Sequence, residues 1–404
     1  MTLTLRKATL IDGTGREPIA DAVIVLDGDK IAAVGQEGQV TQSPGEVINL
    51  VGKTVLPGLL NLHEHLELRR GLGAWQEKVA QSDNWAMMRA VRNALLCLQE
   101  GVTTVRDLGS RRGLNLALKR GIEEGMIIGP RMVTCGQPLV MTGGHGWEIC
   151  TEADGPDEAR KAARQQLKAG ADLIKAMASG GYISYIKPGQ DQPWSSQLTV
   201  EEMRAAFDEA KKAGKKTTVH AHPPAAIRAA IEAGVDCIEH GVLLDKETAE
   251  LMASKGIFLV PTLAESWEMA EHGLELGRPA WLVEASKAEL DSRLERFAYA
   301  VDAGVKIAMG TDVAGSPARE IELMAQGGLS PMEAIVAATR NGAELIDMED
   351  QIGTIEAGKL ADLIVVDGNP LENLPDLAKV ELVFKDGTLY RPEYLTMATG
   401  RYPL

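Results

Sequence analysis

The sequence predicts an α/β protein in which a (β/α)8 TIM barrel carries a small β-sandwich built from both chain termini. Three observations support this prediction. Through the middle of the chain, short apolar runs alternate with helical segments eight times, which is the order of a barrel with parallel strands. Short alternating strands occupy both ends of the chain instead. The length of 404 residues also leaves room for a second module, because a barrel of this kind takes about 250 residues.

The two chain ends predict short strands separated by turns such as Asp12-Gly13 and Asp27-Gly28. The predicted N-terminal strands are Leu3–Ile11, Ala22–Leu26, Lys30–Val34, Glu46–Asn49 and Thr54–Leu56. The same pattern returns in Leu363–Gly368 and Val380–Gly387. We therefore expect residues 1–56 and 353–404 to form one discontinuous β-sandwich domain, and residues 57–352 to form the barrel domain.

The barrel prediction depends on glycines that end helical stretches and precede apolar strands. A glycine at this position adopts the left-handed conformation that closes a helix, and the run after it is typical of a buried parallel strand. Six of the eight predicted strands follow such a glycine; the glycines are Gly101, Gly170, Gly214, Gly234, Gly256 and Gly304. The other two strands are Gly58–His63 and Arg131–Cys135.

Helix starts between these strands have recognisable signals. Thr199 with Glu202, and Ser330 with Glu333, have the spacing of capping boxes. A doubly wound open sheet is the alternative architecture, but no GxGxxG or P-loop motif follows the first strand.

Composition excludes several classes of partner. The net charge is -15 and no basic block is present, which argues against nucleic acid or an anionic membrane as the partner. No apolar run reaches the roughly 20 residues of a membrane span, and the N-terminal residues have no signal-peptide pattern. We therefore expect a cytoplasmic protein. The four cysteines form no CxxC pair and are predicted to be buried free thiols; they are Cys97, Cys135, Cys150 and Cys237.

Histidines collect where predicted strands end, which is the catalytic edge of a barrel. His63 and His65 end the first strand, and His220 and His222 end the fifth with the same spacing. Residues two apart on a strand share a face. The sixth strand ends at His240 and the eighth at Asp312. An isolated HxH pair is more often a surface or capping feature. The combined pattern favours a metal site, since imidazole and carboxylate are ligands that suit zinc.

Lys175 ends the fourth predicted strand. Burial at this edge disfavours the charged ammonium and lowers the lysine pKa. A lysine paired with a nearby carboxylate is the alternative, and the spacing alone does not decide between the two.

Several motifs together resemble the amidohydrolase superfamily, most closely its branch of imidazolonepropionase-like enzymes and Xaa-Pro dipeptidases. They are Pro57–His65, Gly101–Asp107, Val219–His222, Ile238–Gly241, Gly310–Asp312 and the tail Ile352–Leu363. The resemblance covers nearly the whole chain. One departure is Asn61, where many members have an aspartate.

The resemblance implies two divalent cations, with Zn2+ as the expected ion. His63 and His65 would hold one cation with Asp312, and His220 and His240 the other. Lys175, carboxylated by CO2, would bridge them as a carbamate. The cations would activate a water to hydroxide and polarise the scissile carbonyl. Asp312 would act as general base and then as general acid toward the leaving nitrogen.

Substrate contacts are predicted from loops after the strands. His145 matches a substrate-contacting histidine of the related enzymes, although a glycine-flanked loop histidine is also typical of a surface. His222 is interpreted as a substrate contact or a supporting group; exchanging its role with that of His220 is the alternative. Tyr182 and Tyr185 form either an aromatic pocket wall or a packed lid without substrate contact.

The expected reaction is hydrolysis of an amide bond in a peptide-like or N-acyl amino acid substrate. Hydrolysis of an aryl amide, urea or carbamate, or of a cyclic amide such as an imidazolone, is the alternative within the same chemistry. A catalytically silent barrel that serves as a scaffold is the alternative from another class. The expected partners are a small-molecule substrate and further copies of the chain in a homo-oligomer.

Overall fold

Strands from both chain ends share one sheet in the computed structural model, which describes residues 2–40, 45–68, 79–181 and 194–399. These strands are β1 (Thr2–Leu10), β2 (Ile19–Asp27), β3 (Lys30–Gln36), β4 (Glu46–Asn49), β5 (Lys53–Pro57), β16 (Leu363–Asp367), β17 (Val380–Lys385) and β18 (Thr388–Tyr390). Their order is β18-β17-β16-β5-β1-β2-β3, and β4 pairs with β1. All five predicted N-terminal strands are present. The two-layer arrangement of a sandwich stays a prediction.

Strand β16 shows how this terminal sheet packs on the rest of the molecule. Successive side chains of a strand point to opposite faces. Leu363 and Val365 join the core of the terminal sheet, whereas Ile364 and Val366 join the large core that the central helices and strands share. The uninterrupted apolar run of β16 therefore reflects burial on both faces.

The central segment forms parallel sheets. Its strands are β6 (Leu59–Glu64), β7 (Val102–Asp107), β8 (Arg131–Thr134), β9 (Leu139–Val140), β10 (Thr151–Glu152), β11 (Leu173–Met177), β12 (Lys216–Ala221), β13 (Cys237–His240), β14 (Phe258–Val260) and β15 (Lys306–Ile307). One sheet has the order β6-β7-β8 and the other β10-β9-β11-β12-β13-β14-β15. All of these pairings are parallel.

Backbone hydrogen bonds join both margins of the three-stranded sheet to the seven-stranded sheet. The Leu62 amide donates to the Met309 carbonyl at 2.8 Å on one side, and the Asp172 amide donates to the Thr134 carbonyl at 2.7 Å on the other. An α/β fold with parallel sheets is thus confirmed. The described strands form two ladders, and closure into one eight-stranded barrel stays a prediction.

The helices are α1 (Asp83–Gln99), α2 (Leu114–Glu123), α3 (Pro156–Ala169), α4 (Val200–Lys212), α5 (Pro224–Ala233), α6 (Lys246–Lys255), α7 (Leu263–His272), α8 (Ala280–Asp302), α9 (Pro317–Gln326), α10 (Pro331–Ala337), α11 (Arg340–Leu345) and α12 (Pro392–Thr399). Short 3-10 turns occupy Arg111–Gly113, Trp147–Ile149 and Leu374–Ala378. Both predicted capping boxes are present. The six glycines that precede predicted strands all have φ between 64° and 100°, which confirms their role in ending helices.

A separate apolar cluster packs strands β6 and β14 against helix α11. It includes Leu60, Leu62, Phe258 and Val260 together with Leu345 of α11. The four cysteines are buried and free, as predicted. In the part of the chain that the structure describes, no helix has both the length and the apolarity to cross a membrane.

Candidate metal and catalytic site

Polar side chains converge at the carboxyl ends of the parallel strands. His63, Lys175, His220 and His240 lie within strands or at their last residue. Asp312 differs from its prediction, because β15 ends at Ile307 and Asp312 follows outside it. Its amide donates to the His63 carbonyl at 2.8 Å, and it forms a parallel bridge with Glu64. Its φ of 56° is left-handed. A turn fixed to β6 therefore holds this carboxylate at the strand ends.

Three side chains form a candidate metal site. One potential ligand atom from each of His63, His240 and Asp312 lies within 4.8 Å of the other two. The Nε2 atoms of His63 and His65 are both 3.8 Å from Asp312 Oδ1, and His240 Nε2 is 3.9 Å from Oδ2. These separations are longer than hydrogen bonds, as expected of ligand atoms that would share a cation.

The other ring nitrogen of each histidine is already engaged. His63 Nδ1 lies 2.8 Å from Glu239, and His65 Nδ1 lies 2.8 Å from the Gly109 carbonyl. His240 Nδ1 is 2.7 Å from the Thr262 hydroxyl. The carboxylate and the carbonyl can only accept, so Nδ1 of His63 and His65 carries the proton and Nε2 keeps a lone pair. Histidines that bind metals are oriented in this manner, and the donor set fits a divalent cation.

Lys175 lies among these groups, with 1% of its surface exposed. Burial lowers the pKa of Lys175, and the Arg106 cation lowers it further, against the opposing effect of Glu239. Its charge in turn lowers the pKa of all six histidines at the strand ends: His63, His65, His145, His220, His222 and His240. Lys175 forms no ion pair within 4.0 Å with a carboxylate among the described residues, although Glu239 and Asp312 act on its pKa, and its role stays a prediction.

Burial also keeps the histidines uncharged. It lowers the pKa of His63 and of His145 to about 3, and the pKa values of His220 and His240 also lie well below the usual value. Neutral imidazole is the form that binds metals. The histidines are therefore in a metal-binding state at neutral pH.

Comparison with known proteins agrees with this geometry. Residues 54–390 match the model of the amidohydrolase family. The chain belongs to the amidohydrolase family.

The relatives of this amidohydrolase include an ochratoxinase from Aspergillus niger, which is 32% identical over an alignment that covers 95% of this chain and 85% of the relative. Two crystal structures are also similar. A prolidase complexed with N-methylphosphonate-L-proline has a TM-score of 0.88 and 32% identity, covering 97% of this chain and 100% of that one. A Xaa-Pro dipeptidase with bound methionine has a TM-score of 0.86 and 33% identity over the same fractions. The resemblance seen in the sequence motifs is confirmed, and the protein is a hydrolase of carbon–nitrogen bonds.

A buried ion pair of Glu239 and Arg106 supports the candidate metal site of this amidohydrolase. The sequence analysis gave neither residue a role. Glu239 is fully buried and accepts hydrogen bonds from His63 Nδ1, from Arg106 Nη2 at 2.6 Å and from the Thr218 hydroxyl. Burial raises the pKa of Glu239, but the charge of Arg106 and the hydrogen bond from His63 outweigh burial and lower it. Arg106 also donates to the Leu62 carbonyl at 2.5 Å. Charged residues inside buried strands were the available sequence signal.

Asn61 hydrogen-bonds to residues beside the candidate ligands. Its side-chain amide donates to the Thr311 hydroxyl at 2.7 Å and to Glu64 at 3.2 Å, and its carbonyl accepts from the Thr311 amide at 3.1 Å. Asn61 thus holds the turn that carries Asp312.

The remaining histidines form a second group beside the first. The rings of His220 and His145 are stacked, with their centroids 4.1 Å apart. The ring centroids of His220 and His240 are 4.7 Å apart. His220 Nε2 is 3.1 Å from the Gly180 carbonyl. The ring centroid of His222 lies 5.1 Å from that of His240 and 4.8 Å from that of Trp194. The division of roles between His220 and His222 stays a prediction. Tyr182 and Tyr185 lie outside the described residues.

The carboxyl group of Asp312 has a raised pKa. Burial raises the pKa of Asp312 to about 6, although the Lys175 cation opposes this rise. A carboxylate of raised basicity beside the candidate ligands can take a proton from water.

Proposed function

We propose that this amidohydrolase binds two divalent cations, most suitably Zn2+, at the rim of a closed (β/α)8 barrel formed by residues 57–352. Residues 1–56 and 353–404 would form the β-sandwich domain. The convergence of His63, His240 and Asp312 within 4.8 Å is the observation that carries the proposal. The backbone hydrogen bonds at both margins of the three-stranded sheet support closure of the barrel.

In this proposal His63 and His65 hold one cation with Asp312, and His220 and His240 hold the other. Lys175 bridges the two as a carbamate formed with CO2. The low lysine pKa supports this role, because only the neutral amine reacts with CO2. A bridging anion also suits a buried position between two cations better than an ammonium does.

The proposed reaction is hydrolysis of an amide bond in a small peptide-like or N-acyl amino acid substrate. Bound divalent cations supply an activated water and polarise a carbonyl. Asp312 accepts the proton of the water and returns it to the leaving nitrogen, a role that its raised pKa supports. His145 and His222 contact the substrate, and Tyr182 and Tyr185 line its pocket.

The similar proteins support this choice of substrate. One solved relative is a Xaa-Pro dipeptidase, and another is a prolidase complexed with a phosphonate derivative of L-proline. Both names point to bonds at the nitrogen of an amino acid. Family membership and the complete donor set favour an enzyme over the scaffold alternative.

The test combines metal analysis with a substrate panel. Protein purified without chelator should contain about two divalent ions per chain. A panel of dipeptides, N-acyl amino acids and aryl carbamates, followed by amine release, should show turnover of the first two classes. Asp312→Asn should lower kcat by about 10²- to 10⁴-fold, whereas the exposed Asp302→Asn should not change it. Metal-free protein, or an Asp312→Asn variant with activity within tenfold of wild type, would contradict the proposal.

A further inference from the structure

The turn before helix α7 contacts a candidate metal ligand. Thr262 directly precedes α7 and is fully buried, and its hydroxyl lies 2.7 Å from His240 Nδ1. Its φ of 51° is left-handed, which is an outlier for a β-branched residue. Such a conformation persists only where the surrounding structure holds it. The contacts that hold this turn therefore bear on His240.

Glu320 caps helix α7 in place of Thr262. A threonine that precedes a helix ordinarily accepts a hydrogen bond from an amide of that helix. Among the described residues, the Thr262 hydroxyl forms no such cap. Glu320 of α9 accepts instead, with one carboxylate oxygen from the Leu263 amide at 3.0 Å and with the other from the Ala264 amide at 2.5 Å. The first amides of a helix have no partner within it, so Glu320 satisfies them and leaves the Thr262 hydroxyl for His240.

Glu320 also belongs to the segment that carries Asp312. Helix α9 begins shortly after Asp312 in the chain. Gly315 lies between them, and a Cβ atom added there would meet the Cβ atom of Ala264 at 2.6 Å. The start of α9 therefore packs closely against the first turn of α7. Glu320 joins the segment of Asp312 to the turn that contacts His240.

A buried cation acts on Glu320. Burial raises the pKa of Glu320 to about 7, while the hydrogen bonds from the Ala264 and Leu263 amides and the charge of Arg293 oppose this rise. Arg293 is 4% exposed, and its charge also opposes the rise of the Asp312 pKa. The ionised form of Glu320 is therefore stabilised by its amide donors and by Arg293.

We propose that Glu320 and Thr262 are positioning residues that fix the ring of His240 for metal binding. This inference rests on the divalent-cation site proposed above. The Thr262 hydroxyl accepts the Nδ1 proton of His240, so that Nε2, which lies 3.9 Å from Asp312 Oδ2, keeps its lone pair for a cation. Metal-binding histidines depend on such acceptors for their orientation. Glu320 acts through Thr262, because it takes over the cap that would otherwise occupy the hydroxyl.

Zn2+ affinity, measured by a competition titration, separates positioning from structural support. Thr262→Val removes the hydroxyl but keeps the branched shape, and it should weaken Zn2+ binding about 10- to 100-fold. Thr262→Ser keeps the hydroxyl, and its Zn2+ affinity should stay within about threefold of wild type. Glu320→Gln turns an amide nitrogen toward one of the two donors, and it should weaken Zn2+ binding about 3- to 30-fold.

Glu202→Gln is the matched control. The two carboxylate oxygens of Glu202 also accept backbone amides, those of Gly155 and Thr199, each at 2.7 Å. Both glutamine variants should lower the midpoint of thermal unfolding by about 1–2 °C, but Glu202→Gln should leave Zn2+ affinity within about twofold of wild type. Unchanged Zn2+ affinity in Glu320→Gln or in Thr262→Val would overturn the inference, since a purely structural role lowers stability alone.

A double variant tests whether Glu320 acts through Thr262. Thr262→Val/Glu320→Gln should bind Zn2+ about as weakly as Thr262→Val, because the hydroxyl that Glu320 keeps available is already absent. Losses of affinity that add would contradict action through Thr262.

Metal-free protein gives a readout that needs no cation. With isotope-labelled histidine, the nitrogen NMR signals of the His240 ring, identified by their absence in His240→Asn, report the hydrogen bond at Nδ1. Thr262→Val and Glu320→Gln should shift these signals, and Glu202→Gln should not. Unshifted signals in Glu320→Gln would count against its positioning role. If wild type binds no Zn2+, the proposed cation site fails while the NMR signals still decide the role of Glu320.

Discussion

Glu239→Gln is the perturbation that best tests the ionic cluster beneath the candidate metal site. One carboxylate oxygen accepts from Arg106 and Thr218, and the other accepts from His63. Glutamine offers one accepting oxygen and one donating amide nitrogen. Whichever way the amide is turned, its nitrogen faces a donor. The substitution therefore leaves at least one buried donor unsatisfied and the Arg106 cation without its counter-charge.

The expected loss follows from the burial of this pair. Both side chains are at most 2% exposed, and removing one partner of a buried ion pair costs about 3–5 kcal/mol. At about 2.1 cal/mol/K per residue, unfolding of 404 residues has an entropy of about 0.85 kcal/mol/K. The midpoint of thermal unfolding should therefore fall by about 4–6 °C. Metal affinity should fall about 10- to 100-fold, since His63 loses the acceptor that orients it.

Thermal unfolding and a metal-competition titration measure the two effects separately. The exposed Glu250→Gln is the matched control and should shift the midpoint by less than about 1 °C. The double variant Arg106→Met/Glu239→Gln should recover part of the lost stability, because no uncompensated cation remains. A Glu239→Gln midpoint within 1 °C of the control, together with unchanged metal affinity, would refute the reasoning about this cluster.

Two further predictions concern Lys175 and the contact between the parallel and terminal sheets. Lys175→Ala should lose activity that acetate or propionate with added metal partly restores, since a small carboxylate can occupy the place of the carbamate; full activity without additive would exclude the bridging role. Arg131→Met should lower the unfolding midpoint by about 3–4 °C, because it leaves the buried carboxylate of Asp362 without its cation. The kcat/KM of Arg131→Met should stay within about twofold of wild type, and a large change would contradict a purely structural role.

The strand ends and their histidines were predictable from sequence alone. Glycine after a helix, followed at once by an apolar run, identifies the start of six of the eight predicted barrel strands with little dependence on distant residues. The capping boxes at Thr199 and Ser330 are equally local, and both are present. Since parallel strands end at a common edge, the order of His63, His220 and His240 along these strands already predicted that they would meet.

Only the tertiary structure showed which charged groups pack against the candidate metal site at the strand ends. Glu239 and Arg106 lie 133 positions apart, and a charged residue within an apolar strand does not name its partner. Asp312 lies beyond the short strand β15 and is held there by the His63 carbonyl. Local propensity determines where strands and helices begin and end. The pairing of buried charges depends instead on long-range packing, because burying a charge without a counter-charge costs free energy.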